Sequence, residues 1–141
     1  MTAKEYLAQL HCLDSKIKAL EIEIEQLRYD VYGINSSAID GERVQSSVRQ
    51  DKITDKLSDL MEMSNDLVNK IFEKSKLRNE IIQTITRLPN ASYIDVLMSR
   101  YVLMLSWESI SSRLHISVQH CYRLHGNALQ EVDKLVKEES K

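Results

Sequence analysis

Tyr6, Leu10, Leu13, Ile17, Leu20, Ile24, Leu27 and Val31 recur at steps of 4, 3, 4, 3, 4, 3 and 4. This unbroken heptad spacing places all eight side chains on one stripe of an α-helix, and a strand, whose faces alternate every residue, cannot do the same. The residues between them, among them Lys16, Lys18, Glu21, Glu23, Glu25 and Arg28, are charged. A stripe that narrow suits one or two partner helices rather than a broad globular interior. Just upstream, Thr2 and Glu5 have the spacing of a capping box, which satisfies free backbone N–H groups where a helix starts.

A second run opens at Asp51 and carries Ile53, Leu57, Leu60, Met63, Leu67, Ile71, Leu77, Ile81, Ile85 and Leu88. Its one irregular step, 6 residues from Ile71 to Leu77, leaves Lys74 and Arg78 where a strict heptad asks for apolar side chains, so the seam is expected to weaken or change partner there. Between the runs, GINSSAIDGERVQSSVRQ buries little, and a polar loop near 33–50 is expected, with Gly33 ending the first helix. The two runs pair as a long antiparallel helical hairpin within one chain or as a coiled coil between chains, because heptad spacing does not name the partner. With 3 Gly and 1 Pro in 141 residues there are too few turn formers for a many-stranded fold, and the chain is expected to be all-α.

The single proline, Pro89, followed by Asn90, draws the boundary between an N-terminal segment, 1–89, and a C-terminal one, 90–141. The latter reads as three helices. Tyr93, Val96, Leu97, Arg100, Tyr101 and Val102 make the first, and the pattern breaks over Leu103 to Ser106. Ser106 then caps a short helix with Trp107, Ile110 and Leu114 inward, a corner follows at Leu114-His115-Ile116-Ser117, and a last helix buries Cys121, Leu124, Ala128 and Leu129. This is the pattern of a helix-turn-helix module, in which the second helix enters the major groove of DNA.

Charge gives that reading no general support: 19 Lys and Arg face 21 Asp and Glu, so any basic surface must be local. Cys12 and Cys121 are far apart and the opening MTAKEYLAQL is amphipathic rather than a signal peptide, which makes a reduced, cytoplasmic protein the expectation. No apolar run approaches the roughly 20 residues of a membrane span. The sequence has no glycine-rich phosphate loop, nucleophile elbow or His-Glu-x-x-His motif, so no enzyme and no cofactor is expected. Cys121 and His125 are one helical turn apart with His120 nearby, but a structural zinc needs four ligands and Cys121 falls on the core stripe, so no metal is expected either.

The string RYV…LSWESISSRLHIS…CYRLHGNAL resembles sigma-factor region four: a helix rich in Leu and Arg, a Ser before an E-x-I-A-x-x-L helix, an I-S turn, and a recognition helix ending in Ala-Leu. With TAKEYLAQL and DGERVQSS, the whole chain is similar to small phage-encoded proteins of Gram-positive hosts, which are mostly uncharacterised or described as sigma-like late-gene transcription regulators of the RinA and ArpU type. The resemblance implies sequence-specific binding to double-stranded DNA and control of transcription, with RNA polymerase or another phage protein as a further partner. It matches Ile110, Leu114, Ile116, Cys121, Leu124, Ala128 and Leu129 to inward positions, and Ser117, Val118, Gln119, His120, Tyr122 and Arg123 to DNA-facing ones. Sigma-type recognition helices carry several Arg or Lys at those sites, whereas this one offers only Arg123.

The chemistry at these positions suits DNA. Arg123 can grip guanine O6 and N7, Gln119 can pair with adenine, and Ser117 at a helix N-terminus can place a phosphate. Arg100 and Arg113, on the supporting helices, are candidate phosphate clamps. With so few cations, a homodimer through the N-terminal helices is the expected device, since two weak half-site contacts reinforce each other. The alternative reading, from another functional class, is a protein-interaction adaptor for a phage repressor, RNA polymerase or terminase, or a small DNA-packaging subunit using the same module.

Overall fold

The computed structural model describes residues 1–37 and 46–140. Among them every regular element is helical: α1 (Ala3–Ser37), α2 (Ser46–Thr86), α3 (Ala91–Leu97), α4 (Trp107–Leu114) and α5 (Val118–Glu139), with a π-helical segment, Met98–Val102, continuing α3. The all-α expectation holds for these residues, and no helix among them is long and apolar enough to cross a membrane.

α1 starts as its capping box requires. The Glu5 amide donates to Thr2 Oγ1 at 3.2 Å and the Thr2 amide donates to Glu5 Oε2 at 2.7 Å, which holds the Glu5 carboxyl below its usual range. The helix does not end at Gly33 but continues to Ser37. A glycine stops a helix by taking a left-handed φ, and no glycine among the described residues does so; left in helical conformation it costs only about 1 kcal/mol relative to alanine, too little to end a long helix. Likewise α2 begins at Ser46 rather than at Asp51. The expected 33–50 loop is therefore helical at both ends, and its centre, 38–45, lies outside the described residues.

The chain divides into two compact units, Met1–Asp14 with Lys74–Lys141, and Ser15–Glu73. In the first, Ala3, Leu7 and Leu10 of α1 join Ile81, Ile85 and Leu88, Leu97 and Tyr101, and Ala128 and Val132 of α5 in one buried cluster. This unit takes in more than the residues after Pro89, because the apolar stripe of α5 is covered by α1 and the end of α2. Polar contacts fix the register: Tyr6 Oη lies 3.4 Å from Thr84 Oγ1, Lys74 Nζ donates to Asp14 Oδ1 at 2.6 Å, and the Ala3 amide donates to Asp133 Oδ1 at 2.8 Å. Residues 6 and 84, then 14 and 74, are paired, so α1 and α2 run in opposite directions within this unit. Lys74, at the irregular step of the heptad, is the partner of Asp14, which lies beside the expected stripe and is only 8% exposed.

In the second unit, Ile17, Ile24 and Val31 of α1 are buried at intervals of 7, while Leu20 and Leu27, expected on the same stripe, are half-buried, and Lys56 Nζ lies 4.0 Å from Asp30 Oδ2. No described α2 side chain of this unit is buried; Leu57, Met61, Val68, Ile71 and Phe72 are exposed.

The C-terminal helices owe their limits to local chemistry. Asn90 Oδ1 accepts from the Ser92 amide at 2.9 Å and starts α3 directly after Pro89. After the π-helical turn, whose closing bond runs from the Leu103 amide to the Met98 carbonyl at 2.9 Å, Met104 adopts φ 56 and reverses the chain. Ser106 and Ser117 cap α4 and α5, accepting from the amides of Ser109 at 3.2 Å and His120 at 3.1 Å. Between them His115 ends α4 in the left-handed conformation, φ 57 and ψ 41, and the Ile116 amide returns to the Ser111 carbonyl at 3.2 Å. The turn between α4 and α5 is His115 to Ser117, three of the four residues expected at the corner, with Leu114 the last residue of α4.

Candidate nucleic-acid interface

α5 is divided lengthwise by burial. Cys121, Ala128 and Val132 are fully enclosed, as is Ile110 of α4, while Trp107, Leu114, Ile116, Leu124 and Leu129 are half-buried around them. The first two turns of α5 present Gln119, Tyr122 and Arg123 to solvent, with Ser117 exposed at the cap and Val118 and His120 half-buried. An open groove of about 450 Å³ is lined by Ile116, Ser117, Gln119, His120 and Arg123. Four of the eight residues singled out from sequence thus meet around one concavity, and no carboxylate lines it.

Within the groove, Arg123 Nη2 donates to His120 Nδ1 at 2.5 Å, which places the imidazole proton of the neutral ring on Nε2. The pair holds Arg123 in one orientation and leaves its remaining N–H groups for an acceptor. The adjacent N-terminus of α5 adds the positive end of the helix dipole, which favours a phosphate.

The other four residues are placed differently. Val118 does not line the groove. Tyr122 is half-exposed and packs edge-on against Trp107, with ring centroids 4.9 Å apart. Arg113 is exposed in the last turn of α4, outside the groove lining. Arg100 is turned inward: its guanidinium lies 4.7 Å from the Trp107 ring centroid and Nη1 donates to the Leu105 carbonyl at 2.9 Å, so it braces the turn into α4.

Behind α5 stands a cluster that the sequence reading did not foresee. His125 stacks on Tyr101 at 5.7 Å, its Nε2 lies 2.7 Å from Tyr101 Oη, and it meets Trp107 edge-on at 4.9 Å. Burial, then the nearby charges of Lys4 and Arg100, push His125 down to about 4, so it is neutral at neutral pH; burial also raises the Tyr101 phenol. Cys121 is fully enclosed, and burial raises its thiol. The one signal for this cluster in the sequence was aromatic content around the α4 start, which reads equally well as plain core.

These features define an all-helical protein whose last two helices meet at a tight, doubly capped corner and expose a small cationic groove. The chain belongs to the family described as "Protein of unknown function (DUF1492)", whose model matches residues 34–133, more than half of the chain. The matched stretch contains all eight candidate residues. No curated protein and no solved structure matches the chain.

Proposed function

We propose that this protein is a sequence-specific DNA-binding regulator of transcription, of phage or mobile-element genes, in which α4 and α5 act as a helix-turn-helix. The observation that carries the reading is the meeting of Ser117, Gln119, His120 and Arg123 around an open groove at the N-terminus of α5, on residues the core does not use. Recognition helices contact base edges with these early residues. In this reading Arg123, hydrogen-bonded to His120, pairs with guanine, Gln119 pairs with adenine, and the α5 N-terminus takes a backbone phosphate. The protein works by placement, occupying a site or bringing RNA polymerase to it, and the reading assigns it no catalysis.

One groove with one arginine binds weakly, and a second copy is the natural remedy. The α2 face formed by Thr54, Leu57, Met61, Asn65, Val68 and Phe72 carries no charge, and its four apolar members are exposed. A two-fold contact sets like against like, so an uncharged face meets its own copy without repulsion, and an apolar row of this extent, with Ile71 beside it on the order of 500 Å², is as large as the main patch on a typical monomer. We therefore assign α1 and α2 the role of a helical hairpin that dimerises through α2 and presents two grooves to two half-sites.

Electrophoretic mobility shift with random-sequence duplexes, selected over several rounds and repeated at rising salt, tests the reading. Enrichment of a motif, with binding that falls steeply as salt rises, is expected. No retarded complex at low salt would overturn it.

A protein-interaction adaptor is the second reading, and one observation favours it: Asp55, Asp59, Glu62, Asp66 and Glu73 form an exposed acidic row along one flank of α2, which suits a basic protein surface.

A further inference from the structure

A second cavity, of about 300 Å³, lies within the first compact unit, between the start of α1, the π-helical turn and the helices that follow it. Its volume is that of a small-ligand site rather than of a packing flaw. Its walls combine flat and apolar side chains, Tyr101, Met104, Trp107 and Ala8, with the cations Lys4 and Arg100 and two imidazoles, His11 and His125. No carboxylate lines it, and among the described residues neither Lys4 nor His11 has an ion-pair partner. Gathering basic groups around one cavity without a counter-charge is unfavourable, and an anion bound there offsets the cost. Arg100 uses one of its five donors on the Leu105 carbonyl, leaving others for a ligand.

The backbone beside the cavity is unusual in the same place. The π-helical turn Met98–Val102 and the left-handed Met104 are conformations that proteins retain mostly where a site needs them, and Met104 is itself part of the wall.

We propose that this cavity binds a small aromatic anion, with the ring against Trp107 and Met104 and its phosphate or carboxylate held by Lys4, His11 and Arg100. The site has no part in the groove on α5 and stands whether or not that groove reads DNA. His125, depressed by burial and by Lys4 and Arg100, supplies a spectroscopic witness: a bound anion cancels part of that positive field and raises its pKa from about 4.

Trp107 is the only tryptophan of the chain, so its emission reports on the cavity directly. The full-length protein is titrated with adenosine monophosphate and with benzoate, one probe for each kind of anionic group, and with adenosine and inorganic phosphate, each of which carries half of the chemistry. A saturable change in Trp107 emission is expected from at least one of the two anions, with Kd below about 1 mM, and binding at least about tenfold weaker for adenosine and phosphate. Whichever anion binds identifies the head group. Lys4→Glu with His11→Glu, both exposed positions of α1, weakens that binding at least about tenfold while helical circular dichroism is unchanged, and Lys4→Arg retains it. Absence of a saturable response to either anion up to about 10 mM overturns the proposal. So does an affinity that the folded double variant leaves within about twofold of the parent value.

Discussion

The two compact units are built from the same two helices, yet they bury their side chains very differently. In Met1–Asp14 with Lys74–Lys141, Leu7, Leu10, Ile81 and Ile85 are at or below 1% exposure because further helices close over them. In Ser15–Glu73, α1 buries Ile17, Ile24 and Val31, but Ile22, Tyr29 and Tyr32 of α1 and Leu57, Met61, Val68, Ile71 and Phe72 of α2 stay exposed. A heptad seam gives each helix one covered stripe, and only a third layer covers a second one. The first unit contains that layer in its own chain. Among the described residues the second does not, and the exposed α2 face is the basis of the dimer proposed above.

The sharpest way to break this comparison is to make the same kind of cut in both units. Ile85→Ala should destabilise the protein by about 2–5 kcal/mol in urea unfolding, as a cavity in a closed core does, whereas Val68→Ala in dilute solution should cost less than about 1 kcal/mol. Equal costs would mean that the second unit is as closed as the first. Next in size is the effect on association: Met61→Ser with Phe72→Ser should shift sedimentation from dimer toward monomer at micromolar concentration, with little loss of helical circular dichroism, because both side chains are exposed. A parent protein that stays monomeric at millimolar concentration would leave the α2 face without its assigned partner.

A smaller effect belongs to the first unit alone. His125 has a folded pKa of about 4 against an ordinary 6.5, so the unfolded chain binds the extra proton between those values. The stability that comes from burying the neutral ring is complete above about pH 6.5 and is lost as pH falls toward about 4. His125→Gln should flatten the change in urea midpoint between pH 7 and pH 5; an unchanged slope would assign that pH dependence to other groups.

What the sequence revealed and what it hid follow from the range of the interactions. The caps at Thr2 and Ser106 were readable because each joins residues three apart, and the corner at His115 and Ile116 was readable because its neighbours are amphipathic on both sides. Gly33 misled, since a glycine signals a helix end only if its backbone turns left-handed, and sequence does not report φ. The contacts that join Ala3 to Asp133, 130 residues away, and Lys4 and His11 to the Trp107 cavity left no local trace. Lys74 did leave one, as an irregular step in the heptad, but the sequence could not show that Asp14 would be buried opposite it. At the groove, Ser117, Gln119, His120 and Arg123, which the resemblance matched to outward positions, line one concavity, whereas Arg100, expected as a phosphate clamp, is engaged with Trp107 through a turn whose π-helical geometry has no sequence signature.

The most direct measurement of the central claim is the affinity of the Arg123→Ala protein for a selected duplex and for a scrambled one, by fluorescence anisotropy at a fixed salt concentration. If Arg123 reads a base from the groove on α5, the selected duplex should lose about 5- to 150-fold in affinity while the scrambled one changes far less. Equal losses on both duplexes, or none on either, would contradict recognition of DNA by this helix.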